Sequence, residues 1–207
     1  MGSVGGELRV WGREMMSRWR LLLGFVAVMW VVELVDLVLY RGGLDANGIR
    51  PRDLTGLDGI LLAPFLHGGL SHLVANTIPI LVLGWLVIMR SQRDFLWVTV
   101  VAGLLGGLGV WLFGRPNTIH IGASGLVFGY LGYLFLRGYW ERSVSAVLLA
   151  LVAGVLYGSA LWGMLPTRPN ISWEGHLFGF AGGASAAAVH RQRRLDVPPI
   201  TARRVSY

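Results

Sequence analysis

A serine and a histidine in two glycine-rich segments are the residues best suited to covalent chemistry. Ser124 lies in GASG and His176 lies in GHLFGFAGG. Helices faced with small residues can pack backbone to backbone, so we expect Ser124 to come within hydrogen-bond reach of His176. A histidine that takes the serine proton makes the serine a nucleophile. Alternatively, Ser124 only packs, because serine is common at such contacts. The glycines of the expected contact are Gly125, Gly129, Gly132, Gly179, Gly182 and Gly183.

Two further polar side chains could complete such a site. His72 and Asn76 are four residues apart in FLHGGLSHLVAN and would share one helix face. Acyl transfer needs hydrogen-bond donors for the developing oxyanion, and the side chains of His72 and Asn76 could supply them with the backbone N–H of Ser124. The alternative is an ordinary hydrogen bond between membrane helices. For His67 two interpretations stay open, a role in the site or a side chain satisfied by loop backbone.

No carboxylate is placed by its spacing to orient His176. Glu174 is two residues away, and side chains at that spacing in a helix do not face each other. Glu33 and Asp36 lie near the outer end of the first apolar segment, but nothing connects them with His176. We therefore expect a Ser–His dyad without an aspartate, a form that serine-nucleophile sites can take. His120, close to Ser124 in sequence, is interpreted as a loop residue without a role.

The candidate residues lie in or beside long apolar segments. Of the 207 residues, 54% are hydrophobic and 14% are charged, whereas soluble domains carry about 25% charged residues. About 20 consecutive apolar residues span a bilayer as a helix. We predict an all-α membrane protein, a bundle of six transmembrane helices. The six segments are roughly 20–40, 70–89, 95–114, 123–138, 143–164 and 174–190, and the connection 41–69 is too rich in Gly, Pro, Asn and Asp to be one helix.

The distribution of arginine predicts the orientation of the bundle. The chain has 18 arginines, no lysine and 11 acidic residues, a net charge of +7. Arginines are enriched in both termini and in the second and fourth connections, so the positive-inside rule places both termini in the cytoplasm. Because the basic residues are scattered between apolar segments, they argue against a nucleic-acid-binding patch. The absence of cysteine excludes disulfides and thiolate metal sites.

With this orientation the second, fourth and sixth segments all enter the membrane from outside. At about 1.5 Å rise per residue, His72, Asn76, Ser124 and His176 fall at comparable depth in its outer half. Polar groups there are costly and point to function. We divide the chain into a cytoplasmic tail (1–18), a transmembrane domain (19–190) and a basic cytoplasmic tail (191–207).

These motifs resemble those of the rhomboid intramembrane serine proteases over essentially the whole transmembrane part. His67, His72 and Asn76 match the family's histidine–asparagine motif, GASG its nucleophile motif and GHLFGFAGG its last-helix motif. The resemblance implies that Ser124 forms an acyl-enzyme and that His176 acts first as base and then as acid. It implies that His72, Asn76 and the Ser124 amide hold the oxyanion. His67, Phe128 and Gly122 are candidate supporting residues, and Gly125, Gly129, Gly179 and Gly183 are helix-packing residues.

The resemblance also implies a substrate and a setting. Family members hydrolyse peptide bonds in or near transmembrane segments, mostly of single-pass proteins with a small residue before the cleaved bond. The expected location is the lipid bilayer of a bacterial cytoplasmic membrane, with the site open to the external side. Neither a metal nor another cofactor is expected. The oligomeric state and the natural substrate stay open.

Two features depart from the family pattern. Phe128 stands where many members have a tyrosine packed on the base histidine, so a ring is kept and a hydroxyl is lost. GIRPR at 48–52 stands where some members have a tryptophan–arginine pair. The alternative function is that of a catalytically inactive rhomboid-like protein that binds transmembrane helices. Inactive relatives usually lose the serine or histidine or have proline before the serine, whereas Ala123 precedes Ser124 here.

Overall fold

The computed structural model describes residues 4–167 and 171–195, and within these ranges the chain is helical. The described residues form no β-strand, only an isolated bridge between Ile49 and His120. The predicted all-α class is therefore confirmed. The six longest helices in these ranges are α1 (Val4–Val35), α2 (Leu70–Ile88), α3 (Gln92–Phe113), α4 (Ser124–Glu141), α5 (Val144–Tyr157) and α6 (Trp173–Leu195).

Four described segments are long and apolar enough to cross a membrane. They are Trp11–Tyr40, Leu70–Ile88, Gln92–Phe113 and Val144–Met164. Helices α4 and α6 fall outside this set although both pack in the bundle. Every residue of α4 from 126 to 134 is buried, and α6 packs mainly against α4 and α3. Polar residues within a membrane protein face the interior of the bundle, so helices enclosed by other helices can be less apolar than helices that face lipid.

Helix boundaries differ from the predicted segments at two places. Helix α1 begins at Val4 and continues past residue 18 without a break. Hydropathy marks where a helix can enter lipid, whereas the helical backbone continues upstream because residues 4–20 contain no proline. Helix α5 ends at Tyr157 and a 3₁₀ helix, Gly158–Met164, completes the predicted fifth segment. Of the predicted C-terminal tail, residues 196–207 lie outside the described residues.

The connection between α1 and α2 is a chain of short helical turns, as its composition predicts. The turns are Gly43–Asn47, Leu54–Gly56, Gly59–Leu62 and Ala63–Phe65. The carboxylate of Asp53 caps one turn by accepting the Thr55 N–H at 2.9 Å. The indole Nε1–H of Trp111 donates to the Asp53 carbonyl at 2.9 Å, which ties this connection to α3.

Helices α4 and α6 meet backbone to backbone. A Cβ atom added to Gly179 would collide with the backbone of Gly125, and one added to Gly183 would collide with the carbonyl oxygen of Gly129. These are the glycines that the sequence predicts for this contact. The prediction was wrong for Gly182, which lies on a different face of α6 and packs against α3, where its Cβ would be 2.8 Å from the Cα of Ala102.

A buried ionic network joins the helices at the far end of α4 from Ser124. The guanidinium of Arg137 donates to Asp94 and to the Tyr133 hydroxyl, and its Nε lies 2.8 Å from Glu141 Oε1. Glu141 also accepts from Arg90 at 2.5 Å. Breaking a buried ion pair leaves an uncompensated charge, so this network holds the ends of α2, α3 and α4 together.

Three carboxylates gather where α1 meets the following connection. Glu33 and Asp36 are each 2% exposed, and Asp36 Oδ1 accepts the Leu44 N–H at 2.9 Å. Asp45 is partly buried beside both. Burial, together with the charges of Asp36 and Glu33, raises the pKa of Asp45 to about 6.

One methyl group added at the contact between α4 and α6 should lower the stability of the protein. We expect Gly183→Ala to lower the thermal denaturation temperature in detergent, because the methyl falls on the Gly129 carbonyl and overpacking costs about 1–3 kcal/mol. Gly24→Ala is the matched control, since nothing lies within 4 Å of its Cβ position and alanine favours a helix interior by about 0.5–1 kcal/mol. Equal denaturation temperatures for the two variants would contradict this packing.

The raised pKa of Asp45 predicts a pH-dependent gain from removing its charge. The folded state binds the Asp45 proton more tightly than the unfolded state does. The stabilisation that this proton gives to the folded state is therefore fully present below pH 3.8 and is lost as the pH rises through about 6. We expect Asp45→Asn to denature at a higher temperature than wild type at about pH 8 but not at about pH 4. Hydrogen bonds from Thr55 lower the pKa of Asp53, so Asp53→Asn should show no such gain. A gain of equal size at both pH values would refute the assignment.

Candidate active site

Ser124 and His176 form a hydrogen-bonded pair where α4 and α6 begin. Ser124 Oγ lies 2.8 Å from His176 Nε2. Ser124 is the first residue of α4, so its backbone N–H has no partner within the helix. His176 lies in the first turn of α6. The close glycine contact described above brings these two helix starts together.

The second ring nitrogen of His176 is held by backbone. Nδ1 lies 2.9 Å from the carbonyl oxygen of Gly163, so Nδ1 carries the proton and Nε2 accepts the Ser124 hydroxyl. Among the described residues, the hydrogen-bond partners of His176 are Gly163 and Ser124, and neither is a carboxylate. Gly163 was not a candidate from sequence, because a backbone carbonyl belongs to every residue and has no pattern of its own. A Cβ at Gly163 would lie 3.1 Å from Nδ1.

An aromatic ring fixes the plane of the His176 imidazole. Phe128 stacks on it with ring centroids 4.1 Å apart and an angle of 13° between the planes. Phe128 lies one turn into α4 from Ser124 and is 5% exposed. A phenyl ring is therefore sufficient for the stacking that the family's tyrosine would provide.

His72 and Asn76 face the segment just before Ser124. A Cβ on Gly122 would lie 2.7 Å from His72 Nε2 and 3.7 Å from Asn76 Nδ2. Gly122 has a φ of 108°, which favours glycine. His72 Nδ1 accepts the Gly68 N–H at 3.3 Å, so the ring proton is on Nε2, toward Gly122. Asn76 donates one side-chain N–H to the His72 carbonyl at 3.0 Å and keeps a second. Two side-chain donors thus lie beside the Ser124 segment.

His67 lies outside this group of donors. Its ring is 1% exposed and packs edge-on against His72 with centroids 5.2 Å apart. Neither ring nitrogen makes a hydrogen bond of normal geometry within the described protein. Burial and the proximity of His72 lower the pKa of His67 to about 4, and the Phe65 carbonyl offsets this only in part. The Phe65 carbonyl is thus the polar group nearest to satisfying the ring, and both sequence interpretations of His67 stay open.

None of the three acids considered from sequence is hydrogen-bonded to His176 in the described part of the chain. Glu33 lies beside the backbone N–H groups of His67 and Gly69. Asp36 accepts from the connection that follows α1. Glu174 is buried and lines a cavity of about 410 Å³.

His120 is the residue whose surroundings differ most from the sequence interpretation. Its Nδ1 lies 2.5 Å from Ser172 Oγ and its Nε2 lies 2.8 Å from Thr118 Oγ1. The described contacts therefore link this loop to the start of α6. Sequence could not reveal the first contact, because the two residues are 52 positions apart.

Cavities open on both sides of the pair. One of about 50 Å³ lies beside Ser124, and another of about 350 Å³ lies beside His176 and Phe128. The first is lined largely by aliphatic residues and glycines, with His120, Ser124 and Ser172 as its polar side chains. The described residues contain no group of three or more His, Cys, Asp or Glu arranged to hold a metal ion. A nucleophile, a base and donors beside a cavity are the parts that acyl transfer requires.

The sequence is similar to those of known proteins. The Rhomboid domain matches residues 56–193, two thirds of the chain. An uncharacterized protein of Mycobacterium tuberculosis is 44% identical over 174 residues, covering 80% of this chain and 72% of its own length. RHOMBOID-like protein 4 of Arabidopsis thaliana is 34% identical over 155 residues, covering 69% of this chain and 36% of its own length. Rhomboid-like protease 5 of Toxoplasma gondii is 28% identical over 171 residues, covering 73% and 19%. With its apolar helices, the chain is an integral membrane protein and belongs to the rhomboid family.

Proposed function

We propose that this protein is an intramembrane serine endopeptidase, with Ser124 as nucleophile and His176 as general base. The observation that carries the proposal is the hydrogen bond of 2.8 Å between Ser124 Oγ and His176 Nε2. Family membership and the neighbouring donors support it. No metal or other cofactor takes part in the proposed reaction.

The reaction proceeds through an acyl-enzyme. Ser124 Oγ attacks the carbonyl carbon of the scissile peptide bond while His176 Nε2 takes the hydroxyl proton. His176 then donates this proton to the leaving amide nitrogen as the C–N bond breaks. Water attacks the ester with His176 again as base, which releases the new carboxyl end and restores Ser124. Throughout, the Gly163 carbonyl accepts the Nδ1–H and favours the imidazolium.

The oxyanion that develops on the substrate carbonyl is held by neutral donors. His72 Nε2–H and the second N–H of Asn76 point toward the Gly122 segment, and the Ser124 backbone N–H lies at the helix start. The positive end of the α4 dipole adds to this stabilisation. Preorganised donors in a site that excludes water are worth more than they are in solution.

The proposed topology has six crossings with both termini in the cytoplasm. Ser124 begins α4, whereas Arg137 and Arg142 lie at or just beyond its other end, as the positive-inside rule requires when the site faces outward. In this arrangement residues 19–190 form the transmembrane domain, flanked by cytoplasmic tails at 1–18 and 191–207. The setting is the lipid bilayer of a bacterial cytoplasmic membrane, with the site open to the external side.

The proposed substrates are single-pass transmembrane proteins cut near the outer end of the helix. The cavity of about 50 Å³ beside Ser124 suits a small side chain next to the cleaved bond. Its aliphatic and glycine lining offers no charged partner for a larger polar residue.

Covalent labelling tests the nucleophile and the base directly. We expect a fluorophosphonate probe to label the purified wild-type protein in detergent, and Ser124→Ala and His176→Ala to abolish labelling. Glu174→Ala is the matched control beside the base and should keep most labelling, because a backbone carbonyl holds His176. Absence of wild-type labelling, together with no cleavage of a reporter transmembrane substrate, would favour the helix-binding alternative. A loss of about 10⁴-fold in Glu174→Ala would show that an acid orients the base.

Removing an oxyanion donor should slow catalysis without weakening substrate binding. We expect Asn76→Ala to lower kcat for a reporter transmembrane substrate by about 10²–10³-fold with KM nearly unchanged, since the bond forms only in the transition state. Thr77→Val is the matched control, because the Thr77 hydroxyl bonds to Leu73 and Trp30 on another side of α2. A variant that raises KM at constant kcat would instead make Asn76 a binding residue.

A further inference from the structure

His120 connects three segments of the chain that meet at the active site. It lies four residues before Ser124 in sequence. Its backbone N–H and carbonyl pair with Ile49 in the α1–α2 connection at 3.0 and 2.9 Å. Its ring bonds to Thr118 within its own loop and to Ser172 at the start of α6.

The protons of this cluster can be assigned from the donors around it. The Thr118 hydroxyl donates to the Arg115 carbonyl at 2.6 Å, so its oxygen accepts the Nε2–H of His120. Nδ1 is then unprotonated and accepts the Ser172 hydroxyl. Burial and the charge of Arg115 lower the pKa of His120, which disfavours the charged ring. Both ring nitrogens are therefore engaged in one tautomer.

Ser172 connects the ring of His120 to the backbone of His176. It immediately precedes α6, and its carbonyl accepts the backbone N–H of His176 at 3.2 Å. The hydrogen bonds His120–Ser172, Ser172–His176 and His176–Ser124, together with the chain from 120 to 124, form a closed circuit. A shift of α6 along its axis must break or stretch at least one of these bonds.

The glycine contact leaves this direction of motion weakly restrained. At Gly125 and Gly179 no side chains interlock, so the contact fixes the separation of α4 and α6 better than their register. The reaction is sensitive to register, because a misplacement of about 1 Å can cost about 10²-fold in rate. Phe178 of α6 packs at Gly109 of α3 and Phe128 stacks on His176. A hydrogen bond at the helix starts adds a directional restraint close to the reacting atoms.

We propose that the His120–Ser172 hydrogen bond is a clamp that sets the register of the Ser124 segment against α6, which makes His120 and Ser172 positioning residues for the dyad. The inference rests on the proposed function, since it names a further determinant of the same reaction. Both side chains also line the cavity of about 50 Å³ beside Ser124, so KM must be measured together with kcat to separate positioning of the dyad from substrate contact.

Paired variants separate the clamp from general stability. His120→Leu removes the ring acceptor and Ser172→Ala removes the donor, whereas His120→Asn and Ser172→Thr each keep a group able to make the bond. We expect His120→Leu and Ser172→Ala to slow fluorophosphonate labelling of Ser124 and to lower kcat by about 10–100-fold at unchanged KM. The two conservative variants should recover most of this loss. The double variant should be no slower than either single one, because both remove the same bond.

The thermal denaturation temperature of every variant is measured in detergent together with its labelling and turnover rates. Ser185→Ala is the matched control, since it removes another α6 hydroxyl, one that bonds within its own helix, and it should label like wild type. Labelling of His120→Leu at the wild-type rate would overturn the clamp. Normal labelling with slow turnover would also overturn it, because that pattern places the role after acylation. A loss of labelling rate that parallels a lower denaturation temperature, and that Ser172→Thr does not recover, would overturn it too. If wild type itself is not labelled, the proposed function fails and the clamp fails with it.

Discussion

The close approach of α4 and α6 is the constraint on which the rest of the site depends. Lipid offers little hydrophobic drive between helices, so association relies on packing and hydrogen bonds. Ordinary helix pairs have axes about 8–10 Å apart, and side chains at Gly125, Gly179 or Gly183 would force α4 and α6 apart, since a Cβ at the latter two already meets backbone. Ser124 has a short side chain, and it reaches His176 because the two backbones touch. The glycines of the contact thus determine the geometry of the proposed chemistry.

This central packing also explains the composition of the bundle. Helix α4 is enclosed, so it tolerates Arg137 and Glu141 near one end and Ser124 at the other. Its C-terminal end is joined to its neighbours by ion pairs with Asp94 and Arg90, and its N-terminal end by neutral hydrogen bonds. Helices with more exposed surface have apolar side chains on that surface, as in α5, where Val155 is 85% exposed. Charge is kept at the end of α4 remote from Ser124.

Patterns of side-chain type were sufficient to predict the helical class and the pairing of Ser124 with His176. Periodic glycines and polar residues in apolar segments are visible in sequence because each depends on residue identity. The start of α1 at Val4 was missed, since hydropathy reports lipid contact and not backbone conformation. Gly163 was missed because its carbonyl acts, and His120 because its partner Ser172 is distant along the chain. Contacts made by backbone atoms or across unpatterned loops need the fold to be known.

The tautomers of the three histidines nearest the site are all set by neutral hydrogen-bond partners. His176 donates Nδ1–H to a carbonyl, His120 donates Nε2–H to a hydroxyl, and His72 accepts from the backbone N–H of Gly68. Each tautomer is thereby set by a neutral group. A carboxylate partner would place a second charge where burial penalises charge heavily. In a medium of low dielectric, neutral partners orient the imidazoles, and in the proposed reaction only His176 would change charge, which is a physical reason why the proposed dyad would need no acid.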